Sequence, residues 1–314
     1  MIRLIFKLLG NGKKLPILIY HQVLREADPM RPCEPTAIEF AQQMALLKNY
    51  FHPISLTDGL NQLRSGTLPK DAIAVTFDDG YENNYSVALP ILKEHNVPAT
   101  FFIASDFLDG GIMWNDAVIE TMRRLPLGTH DLSDIGMDPI TLETETDRSP
   151  CTESLLKALK HLPFDERAEK VNQFSGRVRL PTDLMMTSTQ LKLLSESGME
   201  IGGHTLSHPI LTKLSESEAQ TQIIENKHKI EAIIGKPITS FAYPNGKPFQ
   251  DYDQSVREIV KQAGYSIAVT TSHGVAEAEN NPFEFPRYTP WRKEFFGFLA
   301  QMGQNYFTKA TFVS

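Results

Sequence analysis

The sequence predicts an α/β fold built on a buried parallel sheet, of the TIM-like barrel kind. Three observations carry that prediction. Apolar runs of strand length recur along the chain. Helical patterns lie between them. The length of 314 residues suits one barrel domain spanning 1–314.

The strand candidates are Leu15–Tyr20, Ala72–Phe77, Ala99–Ala104, Met199–Gly202, Ile238–Tyr243 and Tyr265–Thr270. Each is short, apolar with little alternation, and bounded by Gly, Pro or Asp, which suits strands covered on both faces. Between them, Thr36–Tyr50 carries Phe40, Met44 and Leu47 at helical spacing. Ser215 and Glu218 form a capping-box signature ahead of Ile223, Ile230 and Ile234, and Gly235 closes that helix. Ser255–Gly264 repeats the pattern. Strand–helix alternation of this kind implies right-handed βα units. The stretch 105–190 breaks the rhythm. It reads as a mostly helical insertion over one barrel mouth, with helices at Asn115–Arg124 and Glu153–Val178 around a polar loop at 126–150.

Composition narrows the function. The chain is 41% hydrophobic and 22% charged, with a net charge of −7, which argues against a nucleic-acid partner. Cys33 and Cys151 form no metal-binding spacing and read as free thiols. Arg3 and Lys7 interrupt the apolar start, so residues 1–10 read as a short surface helix rather than a signal peptide. No run reaches the length of a membrane span. These features predict a cytoplasmic protein with at most weak peripheral membrane contact.

Two motifs carry chemistry. Thr76-Phe77-Asp78-Asp79-Gly80 puts adjacent carboxylates where a buried strand ends. Alone, it also suits a turn followed by a helix cap. His204-Thr205-Leu206-Ser207-His208 follows another strand. Histidines four apart would lie on one face of a helical turn, so both imidazoles could reach one ion. Imidazole nitrogens with a carboxylate oxygen form a set that zinc accepts. Both motifs fall at strand carboxyl ends, where barrel active sites lie.

This pair of motifs resembles that of the polysaccharide deacetylases, the NodB-homology or carbohydrate esterase family 4 group. The resemblance implies a distorted (β/α)7 barrel and a metal-dependent hydrolase that removes N-acetyl groups from an amino-sugar glycan. It implies Asp79, His204 and His208 as ligands of Zn2+ or another divalent transition metal, and Asp78 as general base. Tyr243-Pro244-Asn245-Gly246 resembles the family segment that lines the substrate groove, with the Asn245 N–H holding the oxyanion. The family's usual Arg two residues before that Pro is replaced by Ala242, and Arg287 is the substitute partner for Asp78. Tyr20-His21 resembles the N-terminal motif of the poly-β-1,6-N-acetylglucosamine deacetylases, whose barrel is circularly permuted, which assigns His21 as general acid. Trp114 and Trp291 are candidate sugar-stacking residues. Two other readings stay open: a small-molecule amidohydrolase acting on another C–N bond, and a non-catalytic carbohydrate-binding protein.

Overall fold

A computed structural model describes residues 2–313. Six parallel strands form its centre: β1 (Ile17–Tyr20), β2 (Ala72–Phe77), β3 (Ala99–Ile103), β4 (Glu200–Gly203), β5 (Ser240–Ala242) and β6 (Ile267–Val269). They hydrogen-bond in that order, each parallel to the next. The ring closes through residues 285–288. The Thr270 N–H donates to Phe285 O at 2.9 Å, and the Tyr288 N–H donates to Ile17 O at 3.1 Å. These residues bridge β6 to β1 in parallel sense and act as a seventh stave. The fold is therefore a distorted (β/α)7 barrel.

Both strand faces are buried, which explains why the sequence runs are apolar without alternation. The two faces nevertheless belong to different cores. Leu18, Tyr20, Val75, Phe77, Phe101 and Phe241 point outward and pack under the helices Ala37–Tyr50, Glu216–Ile234 and Gln254–Gln262. Ile17, Ala74, Phe102, Ala242, Val269 and Phe285 point inward. The helix Leu56–Ser65 joins that interior core through Leu56, Leu60 and Leu63. Because strand side chains alternate, Thr76 and Asp78 follow Ala74 to the interior, and Arg287 follows Phe285.

The excursion between β3 and β4 has its own apolar centre, including Val118, Met122, Leu155 and Phe174. Two expectations about it are corrected. The segment 126–150, read as loop, contains an antiparallel pair, Gly128–His130 with Ile140–Leu142. The single helix expected over 153–178 is two helices, Arg148–Leu159 and Phe164–Ser175. Pro163 separates them, since it lacks an N–H and disfavours helix in the residue before it. The surface helix at the start is Ile2–Gly10. Among the described residues no helix is long and apolar enough to cross a membrane, and both cysteines are free.

Candidate metal centre and active site

β2 ends at Phe77, and the next two residues diverge. Asp78 keeps the strand register and faces the barrel interior. Asp79 takes a left-handed backbone (φ 77°), as does Gly80 (φ 94°). That turn sends the Asp79 carboxylate to the barrel mouth, away from Asp78. A positive φ is costly for a residue with a Cβ, and such strain concentrates at functional sites. The Asp79 carbonyl accepts from the Ala104 N–H at 3.2 Å, which ties the turn to the end of β3.

β4 delivers the histidines. The expected helical turn at 204–208 is corrected: this stretch is irregular loop. Thr205 (φ 65°) and His208 (φ 55°) both adopt the left-handed region, which a helix cannot include. The loop, rather than helical periodicity, folds His208 back beside His204, with ring centroids 4.8 Å apart. Buried Asn226 braces it. Its side-chain oxygen accepts from the His204 N–H at 3.2 Å, and its NH2 donates to Ile103 O, Ser105 Oγ and Thr205 O. Gly203 makes room for this brace, because a Cβ there would run into the Tyr265 ring and the Asn226 side chain.

Asp79, His204 and His208 converge so that one ligand atom from each lies within 4.8 Å of the others. His204 Nε2 is 3.4 Å from Asp79 Oδ1, and His208 Nε2 is 3.5 Å from it. Asp79 Oδ1 is buried and has no hydrogen-bond partner among the described residues. An unmatched buried carboxylate oxygen is costly, and a cation between these three atoms would remove the cost. His204 Nδ1 lies 2.7 Å from Ala242 O. Donation there places the proton on Nδ1 and leaves the Nε2 lone pair for a metal. Burial pushes His208 down to about 4, so its imidazole is neutral and able to ligate. Burial would raise the Asp79 carboxyl, but His204, His208 and His21 outweigh it and hold it well below the usual carboxylate range. The donor set fits a divalent transition metal such as zinc.

Asp78 and Arg287 meet inside the barrel. Two guanidinium nitrogens donate to the two carboxylate oxygens at 2.8 Å each, in the two-pronged geometry suited to Arg. Arg287 also donates to Thr76 Oγ1 at 2.9 Å and Thr270 O at 3.2 Å, and is fully buried. Burial works to raise the Asp78 carboxyl, and Arg287 with His204 overrides it and keeps it ionised.

His21 follows β1 at the same mouth. Its carbonyl accepts from Asn84 Nδ2 at 2.8 Å. Burial works to lower its pKa, but the carboxylates of Asp79, Glu34 and Asp78 prevail and raise it. Glu34 is a neighbour that sequence reasoning missed. It accepts from the Gln22 N–H at 3.1 Å, and nothing in its local pattern marks it. Asn245 (φ 57°) follows β5; its N–H has no hydrogen-bond partner among the described residues, and its carbonyl accepts from Thr271 Oγ1 at 2.5 Å.

The groove-lining candidates fare differently. Tyr243 is fully buried, stacks on Tyr252 at 4.0 Å and donates to Phe283 O, so it faces the outer shell and not the mouth. Strand register decides this: Tyr243 shares the outward face with Phe241. Pro244 is buried too. Trp114 packs against the core of the excursion beneath the Arg167 guanidinium, 4.9 Å from its ring. Trp291 is 53% exposed, beyond the end of the closing segment, with the His273 ring 5.3 Å away. Only Trp291 among these offers an open aromatic face.

Comparison with known proteins agrees with this architecture. The family model described as polysaccharide deacetylase matches residues 65–161 and 167–268. A poly-beta-1,6-N-acetyl-D-glucosamine N-deacetylase of Staphylococcus epidermidis is 22% identical over 237 residues, covering 71% of this chain and 78% of its own. YxkH of Bacillus subtilis is 21% identical over 276 residues, covering 87% and 70%. Among solved structures, IcaB from Ammonifex degensii superposes with a TM-score of 0.61 at 19% identity, covering 94% of this chain and 97% of that one. The deacetylase PplD of Streptococcus pyogenes gives 0.59 at 21%, covering 88% and 92%. At these identities the structural likeness speaks to the fold.

Proposed function

Since the chain belongs to the polysaccharide deacetylase family, we propose that it hydrolyses the N-acetyl group of an amino-sugar glycan, at a site where Asp79, His204 and His208 hold zinc. The observation that carries this reading is the orphaned Asp79 Oδ1 facing two imidazole Nε2 atoms at 3.4 and 3.5 Å, beside an Asp78 carboxylate locked by Arg287. The resemblance of the relatives favours a glycan over other amides.

A divalent ion bound there would polarise the acetyl carbonyl and acidify the attacking water. Asp78, kept ionised by Arg287, accepts the proton of that water. The Asn245 N–H donates to the oxygen as it gains charge, a contribution of typically ~3–4 kcal/mol per donor. His21, whose pKa is raised by the surrounding carboxylates, gives its proton to the amine nitrogen as the C–N bond breaks. Acetate and a free amino sugar leave. Trp291 is the proposed sugar-stacking residue, a reading supported by its exposed aromatic face.

The test pairs metal analysis with acetate release from acetylated amino-sugar oligomers. Asp79→Asn is expected to lose both bound metal and acetate release. Undiminished acetate release from metal-free Asp79→Asn protein would overturn the scheme.

A further inference from the structure

A cavity of about 710 Å3 lies against the outer side of the candidate site. One wall is Ile210 to Lys213, which begins two residues after His208. A second runs from Asn245 to Asp251. A third is made by Lys160 and His161, at the end of the excursion helix Arg148–Leu159. The first two walls are tied together: Thr212 Oγ1 donates to Gln250 O at 2.6 Å and the Thr212 N–H to Asp251 O at 3.3 Å.

The charge of this cavity opposes that of the chain. Lys160, Lys213 and Lys247 all line it, and none is in an ion pair among the described residues, although other lysines are. The one acid in its lining, Asp251, is only 4% exposed, and its carboxylate is engaged by the Lys247 N–H at 2.9 Å. Lys160 and Lys247 both act on that carboxylate from the same lining, so their charges face one space. A net-positive cavity thus sits on a molecule of net charge −7.

Two further features of the lining suit a sugar. Phe249 in its wall is 61% exposed and held at φ 65°, a strained backbone for a bulky residue. Burying that ring against the apolar face of a pyranose would offset its exposure. Asn245, the candidate oxyanion donor, also lines the cavity. A group seated among the lysines would therefore be attached close to the acetyl group under attack.

We propose that this cavity is an anion subsite, receiving a phosphate or carboxylate carried on the amino sugar or its neighbour, with Phe249 beneath the ring. The inference rests on the deacetylase reading for its substrate, but not for anion binding itself. Lysines act here as flexible point charges, so either anion is accepted on charge rather than shape.

Two measurements test it with the full chain and the Lys160→Gln, Lys213→Gln, Lys247→Gln triple variant. First, inorganic phosphate and glucuronate are titrated into metal-free protein by calorimetry. Wild type should bind at least one, and the triple variant about tenfold more weakly or worse. Second, acetate release is compared for a neutral N-acetylglucosamine oligomer, its 6-phosphate and its C6-carboxylate. The wild-type ratio of kcat/KM, charged over neutral, should be about tenfold, and should collapse toward one in the variant. The stronger of the two charged substrates identifies the anion. Anion binding lost in the variant, with no acetate released from any oligomer, would sink the deacetylase reading and leave the subsite standing. Acetate release with no preference for charged oligomers, or equal phosphate and glucuronate binding in both proteins, would overturn the subsite.

Discussion

Arg287 and Asp78 stand 209 positions apart in sequence and meet as a two-pronged ion pair sealed inside the barrel. The stave that completes the ring is the same segment that brings the guanidinium to the carboxylate, so barrel closure also orients Asp78, the proposed base. Arg287→Lys keeps the charge but loses the fork. It should lower kcat/KM by about 10–100-fold, because a misplaced base costs rate steeply. Arg287→Met leaves a buried carboxylate unpaired and should destabilise the fold by ~3–5 kcal/mol. Urea denaturation measures that loss, and an unchanged midpoint would contradict the pairing.

With Asp78 as the proposed base, the same pair should set the acid limb of the pH profile. Burial would raise Asp78, and Arg287 brings it below its ordinary value. A carboxylate depressed in the folded state adds stability above its unfolded pKa of about 3.9, and that stability is lost as pH falls through the folded value. Wild-type kcat/KM should therefore hold as pH is lowered from neutrality and fall only once Asp78 protonates. In Arg287→Met burial acts without its counterweight, so the acid limb should move to higher pH. A limb that stays in place would assign the base elsewhere.

Metal should also support the fold. Asp79 Oδ1 is a buried acceptor without a donor, and a cation bound by Asp79, His204 and His208 favours the native state alone. At free zinc a hundredfold above Kd the gain is ~2.7 kcal/mol. Calorimetry with chelator and then with zinc restored should show Tm fall and recover in wild type. Asp79→Asn should show neither change. Equal Tm with and without zinc in wild type would argue against a site at these residues.

Which features were legible depended on whether a local pattern encodes them. The six strands of β1–β6 were, because burial on both faces demands unbroken apolar runs. The seventh stave was not: Pro286 sits at its centre, and proline counts against a strand. Arg287 was named as the partner of Asp78 only by replacing the Arg missing at Ala242. Asp79, His204 and His208 could be listed together, but the loop conformation joining the histidines could not, since left-handed Thr205 and His208 leave no signature in residue type. Tyr243 and Trp114 misled because an aromatic residue near a motif does not reveal its direction. Register turned one outward, and packing under Arg167 claimed the other. The lysine cavity draws on 160, 213 and 247, which no window of sequence brings together.

Asn226 is the brace whose loss should separate metal affinity from the ligands themselves. It touches no ligand atom, yet it fixes the His204 N–H and the carbonyls of Ile103 and Thr205. Asn226→Ala removes all of these bonds at once and leaves these groups held by His204 N–H to Ile103 O and Ser105 N–H to Thr205 O. It should cost about 2–4 kcal/mol. Zinc affinity, measured by competition with a chromophoric chelator, should weaken about 10–100-fold, as for other groups that orient ligands indirectly. Asn226→Asp keeps the shape but replaces the NH2 donors with an acceptor, so it should fail similarly. Wild-type affinity in both variants would show that the loop holds its shape without the brace.

Glu34 bears on the other end of the pH profile. Burial works to lower the His21 pKa, and the charges of Asp79, Glu34 and Asp78 outweigh it. A general acid must carry its proton, so activity should fall as pH rises through the His21 pKa. Glu34→Gln removes one of the three charges that hold the proton on while leaving the other two. The alkaline limb of kcat/KM should then shift to lower pH, with the acid limb unmoved because Asp78 keeps Arg287. His21→Ala should abolish the alkaline limb and lower kcat by about 10²–10⁴-fold, the usual contribution of a positioned acid. An aryl acetate carries its own good leaving group and needs no such proton. It should be hydrolysed by His21→Ala at close to the wild-type rate, whereas an equal loss on aryl acetate and N-acetyl substrate would place His21 outside the proton-transfer step.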